Sequence, residues 1–104
     1  MSPQESENEK PATIENLIED EREIMRSLKE TMKNPETSTG DKIRAANAYA
    51  YHASVLSRLL VQKGASDRID EKTLGDFIKE IEPRTARLIR TRFRFWTRKH
   101  SSTT

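Results

Sequence analysis

Cysteine is absent from this chain of 104 residues, and with it go disulfide frameworks, thiolate zinc sites, iron–sulfur sites and any cysteine nucleophile. Glycine and proline are scarce, at three and four residues, which excludes collagen-like and proline-rich linker behaviour. Long apolar runs are also missing. Uninterrupted apolar stretches are only a few residues long, as in Val55-Leu56 and Leu59-Leu60-Val61, far short of the ~20 residues of a spanning helix. The opening residues, Met1 to Lys10, are acidic and polar, where a signal peptide would be basic and then apolar. These absences lead to the expectation of a cytoplasmic protein with no membrane segment.

Catalytic and metal-binding resources are thin as well. His52 and His100 are the only histidines, and neither stands at the helical spacing from a carboxylate that metal-binding helices use. Thr39-Gly-Asp-Lys42 has the end of a phosphate loop without its first glycine or the strand before it, and reads as a helix start. Glu15, Glu19 and Glu23 share one helical face, a spacing that usually makes a solvated surface. No enzyme activity, metal or cofactor is expected.

The last absence is acid near the C-terminus. Net charge is only +2, but it averages unlike parts. Residues 1–36 hold 5 basic and 10 acidic side chains, 37–83 hold 7 of each, and 84–104 hold 7 basic and none acidic. Such asymmetry is informative about partners in a way that the total is not.

What is present is helical periodicity. Residues 1–12 carry no large apolar side chain after Met1 and read as a disordered acidic tail, and 101–104 read as a disordered tail at the other end. Between them, 13–100 read as one all-α domain, a small four-helix bundle. The first helix, 13–33, has Ile14, Leu17, Ile18, Ile24, Met25, Leu28 and Met32 as its apolar positions, Thr13 as N-cap and Asn34-Pro35 as its stop. The second runs from 40 to Lys63, capped by Thr39 and closed by Gly64. Its seam of Ile43, Ala46, Ala50, Ala53, Leu56 and Leu60 is small enough for close helix approach, which makes it the central helix. A short third helix, 71–81, starts after Ile69-Asp70, a hydrophobic staple and N-cap. Glu82-Pro83 separates it from the fourth helix, 83–99.

The fourth helix does not sort into one apolar and one polar face. At 100° per residue, Ala86, Ile89, Phe93 and Trp96 fall between about 120° and 200° and form the expected core seam. Arg84, Arg87, Arg90, Arg94 and Arg98 fall between about 240° and 360°, a continuous cationic stripe, with Arg92 and Lys99 at its margin. Leu88 and Phe95 stand inside that basic territory, off the core seam.

A row of guanidinium groups on a rigid element suits nucleic-acid phosphates, because each neutralised phosphate releases counterion and each Arg can bond bidentately. Arg84, Arg87, Arg90, Arg92, Arg94, Arg98 and Lys99 are therefore the candidate nucleic-acid contacts, with Phe95 to stack on a base or act as a wedge. This expectation is of a small accessory protein of nucleic-acid metabolism. Two other readings fit the same residues. Leu88 and Phe95, ringed by Arg, can anchor the chain on a larger protein such as a polymerase. If the acidic first helix lies beside the fourth, the stripe becomes an intramolecular ion-pair face, an arrangement suited to the charge-rich composition of proteins from hot environments.

Thr73-Leu-Gly-Asp-Phe-Ile-Lys-Glu-Ile81 resembles the first helix of a helix-turn-helix motif. The resemblance covers about 25 residues and implies that the Arg-rich helix takes the place of the recognition helix. It departs from the pattern at Ile78, where a small residue is usual, at Glu82, where glycine is usual, and in a shorter turn.

Overall fold

A computed structural model describes residues 12–64 and 68–101. It contains four helices and, among the described residues, no strand: α1 (Ile14–Lys33), α2 (Thr39–Lys63), α3 (Glu71–Phe77) and α4 (Pro83–Ser101). The expected tails lie outside the described residues except at Ala12 and at Ser101, which closes α4.

Local chemistry sets the helix ends. The Thr13 hydroxyl accepts from the Asn16 N–H at 3.2 Å, which satisfies one free donor at the start of α1. Ser38, and not Thr39, caps α2, accepting from the Asp41 N–H at 3.1 Å, and Thr39 becomes the first helical residue. Gly64 ends α2 in the left-handed region at φ 87°, where a side chain would be strained. Asp70 accepts from both the N–H and the hydroxyl of Thr73, at 2.8 and 2.9 Å, to open α3. Glu82 does the same for α4 at its own side chain, accepting from the Arg84 N–H, while Pro83 takes the first helical position.

The third helix is shorter than the periodicity predicts. It stops at Phe77, and the chain turns through 78–80, with the Ile81 N–H donating to the Ile78 carbonyl. The turn drives both Ile78 and Ile81 into the core. Gly75 weakens the helix from within, and Pro83 forces the residue before it out of helical geometry, so the last turn unwinds. The connection 78–82 is consequently longer than the helix-turn-helix resemblance implies.

α2 is the central element: α1 and α4 each pack along it, while α3 touches α4 lightly. Ala46, Ala50 and Ala53 are fully buried and let the neighbouring backbones come close. Tyr49 and Leu56 of α2 face Met25 of α1 and Phe77 of α3, and burial pushes the Tyr49 phenol up to about 12. From α4, Ala86, Ile89 and Phe93 join the core as the helical wheel predicts. The Ser57 hydroxyl donates to the Ile69 carbonyl at 3.1 Å, which fastens the segment entering α3 to α2.

Four expected core positions lie elsewhere. Ile43, near the start of α2, is 46% exposed, and Leu17 and Ile24 are likewise on the surface of α1. Trp96 is only half-buried. Its indole stands against the edge of the Tyr51 ring, and Tyr51 lies off the buried alanine seam of α2, so the pair closes the rim of the α2–α4 interface and does not fill its centre.

Candidate nucleic-acid interface

α4 displays its cations much as the wheel predicts. Arg84, Arg87, Arg92, Arg94, Arg98 and Lys99 are exposed, and Arg90 is half-buried. The Arg90 guanidinium reaches α3, where one nitrogen lies 3.5 Å from the place a side chain on Gly75 would occupy. That is ordinary van der Waals distance, so Arg90 lies against α3 and belongs partly to the α3–α4 junction.

The acids are committed in ways that leave the stripe largely open. Glu21 Oε1 of α1 lies 2.7 Å from Nδ1 of His52 in α2 and accepts its hydrogen when the ring carries the proton on that nitrogen. Glu80, in the connection before α4, pairs with Lys29 at 3.1 Å and Lys33 at 3.5 Å, and these contacts hold its carboxyl below the usual carboxylate range. Asp41 pairs with Arg44 within α2. On α4 the one acidic partner among these pairs is Glu71 of α3, whose Oε1 accepts from Arg94 Nε at 2.8 Å. Arg84, Arg87, Arg92 and Arg98 make no ion pair with any described residue. The intramolecular neutralisation weighed from the sequence requires α1 beside α4, and α2 stands as their shared packing partner.

The apolar pair divides. Phe95 is 47% exposed, whereas Leu88 is half-buried and packs against the core. A position on the wheel between two cations does not prevent this, since Leu88 packs against the buried cluster all the same. Leu88 is therefore spent on the fold, and Phe95 stands alone as the exposed apolar side chain of the stripe.

Sequence reasoning missed three participants. Trp96 meets Phe95 edge to face, centroids 5.2 Å apart and planes at 77°, and meets Tyr51 at 5.0 Å and 72°. Tyr51 is itself 40% exposed. Lys99 Nζ lies 5.8 Å from the Phe95 centroid and 5.6 Å from that of Trp96, within cation–π range. The third is Glu71. The adjacency of Phe95 and Trp96 was visible in the sequence, but Tyr51 and Glu71 reach the site only through tertiary packing.

Comparison with family models, curated proteins and solved structures returns no significant match for this chain.

Proposed function

We propose that this chain is a small non-enzymatic accessory protein of nucleic-acid metabolism, acting in the cytoplasm and gripping a phosphate backbone with α4. One observation carries the reading: Arg84, Arg87, Arg92 and Arg98 stand exposed and unpaired among the described residues, on one rigid helix with no acid in its own sequence. Unpaired surface guanidinium groups gain from phosphate without first giving up a protein partner. With about four phosphates engaged, log K falls with log salt at a slope of roughly −3 to −4. A gel-shift salt series on single- and double-stranded DNA and RNA measures that slope, and Arg87→Glu with Arg98→Glu abolishes binding at low salt. No binding at low salt, or binding unchanged in the double variant, refutes the reading.

A protein-docking role is the second reading, favoured by the exposure of Phe95 among cations. It places the chain on a larger DNA-handling enzyme such as a polymerase, with Phe95 as the anchor and Leu88 confined to supporting it from the core side. Phe95→Ala then removes a specific partner from co-purification while the salt slope on nucleic acid stays as in the wild type.

A further inference from the structure

We propose that Tyr51, Phe95 and Trp96 form a stacking platform for unpaired bases, so that the nucleic acid held by α4 is single-stranded. This rests on the phosphate-binding reading of α4 and adds the substrate class to it. The rings run without a gap from α4 to α2, each meeting the next at a steep angle. Two nearly perpendicular rings make a corner, and a planar base laid on the exposed face of one meets the other at its edge. Phe95 and Tyr51 keep enough surface open for this, at 47% and 40% exposure.

The surroundings fit a nucleotide. Thr91, Arg94, Phe95, Arg98 and Lys99 line an open hollow of about 620 Å³, within the range that takes small-molecule ligands. Arg94, Arg98 and Lys99 stand around Phe95 to meet a phosphate, and Lys99, whose Nζ lies over the Phe95 and Trp96 rings, swings aside when a base takes that face. Stacking requires a free base face. Duplexes hide these faces and present only base edges in their grooves, while single strands splay them out. An arrangement of exposed rings within a cationic surface is therefore matched to a strand and wasted on a duplex.

Trp96 is the chain's single tryptophan, so its fluorescence reports on this site alone. Three ligands of equal length separate the contributions: oligothymidylate of about 12 nucleotides, the same backbone without bases, and a duplex. The expected result is quenching of Trp96 by oligothymidylate and an affinity above those of the other two. Phe95→Ala and Tyr51→Ser each lower oligothymidylate affinity roughly 5- to 100-fold, leave the abasic strand's affinity unchanged, and Phe95→Tyr restores binding. Equal affinity for the abasic strand and oligothymidylate, or tighter duplex binding, overturns the platform while leaving the phosphate reading standing. Concentration-dependent burial of Trp96 without nucleic acid, seen as self-association in sedimentation, also overturns it by giving the rings to a second copy. No binding to any of the three ligands overturns both readings at once.

Discussion

Glu71→Gln should strengthen nucleic-acid binding, an unusual direction for a substitution that breaks an ion pair. The Glu71 carboxylate holds Arg94 through Nε at 2.8 Å, and both side chains are about half exposed, at 58% and 48%. Exposed pairs of this kind contribute about 0.2–1 kcal/mol, so the fold tolerates the loss. The effect on binding comes from two sources. Arg94 is released to neutralise one further phosphate, which steepens the log K against log salt slope by about 0.7–0.9. The carboxylate also stops repelling a phosphate bound on the far side of the guanidinium. At about 7 Å in water two unit charges interact by about 0.6 kcal/mol, close to a threefold change in affinity. With a Debye length of about 8 Å at physiological salt, more than half of that is screened away. The variant should thus bind about threefold or more tightly at low salt, and the gain should shrink toward nothing as salt rises. Fluorescence anisotropy with a labelled strand across a salt series measures both quantities. Asp20→Asn, an equal charge change on α1, is the control and should move the slope by much less. An unchanged slope in Glu71→Gln, or weaker binding, would show that Arg94 is not a phosphate contact.

Two predictions concern the fold that presents the site. Ala50 is fully buried in the seam where neighbouring helices close on α2, and Ala50→Leu should cost about 1–3 kcal/mol through overpacking, read as a lowered urea midpoint; an unchanged midpoint would mean that the seam is loosely packed. Glu80 is held low by its hydrogen bond to Lys29 and the charges of Lys33 and Lys29, and Asp70 by hydrogen bonds from Thr73. A carboxyl depressed in the folded state contributes stability above its unfolded pKa and loses it as pH falls through the folded value, so acidification below the ordinary 4.5 and 3.8 should weaken the fold. Urea midpoints measured across that acid range should fall less steeply in Glu80→Gln with Asp70→Asn, in which Asn still caps α3; an identical acid slope would discard both groups as contributors.

The helix ends were legible in the sequence because the chemistry that sets them is local. Thr13, Asp70, Gly64 and Pro83 act on backbone groups within a turn of themselves, and each sits at a helix terminus. α2 was legible as the central helix for a related reason: a run of alanines and serines cannot fill a core alone and has to be covered by larger neighbours on more than one side. Periodicity gave direction and not distance. It aimed Trp96 inward, correctly by angle, without revealing that the opposing residue would be Tyr51 at the rim of the seam. The same limit applies to Leu88 and Phe95, adjacent on the wheel, of which Leu88 packs against the core and Phe95 stays exposed. The end of α3 was misplaced because Ile78 and Ile81 match a helical repeat but are buried by a turn.

Whether the Arg stripe was free or self-neutralised depended entirely on helix adjacency, which charge counting cannot supply. Ten acids in the first third of the chain are enough to cancel the seven cations of the last, but an acid neutralises only what its backbone brings within reach. Glu21 is used by His52 and Glu80 by Lys29 and Lys33, so these acids fasten α1 to its own neighbours. Among the ion pairs of the described residues, α4 takes the carboxylate of Glu71, from the short helix that immediately precedes it. Because the described ion pairs leave Arg84, Arg87, Arg92 and Arg98 unmatched, the small net charge of the chain describes its average and not the local charge of α4. Association should accordingly follow the local charge of α4, with a salt dependence far steeper than a net charge of +2 implies.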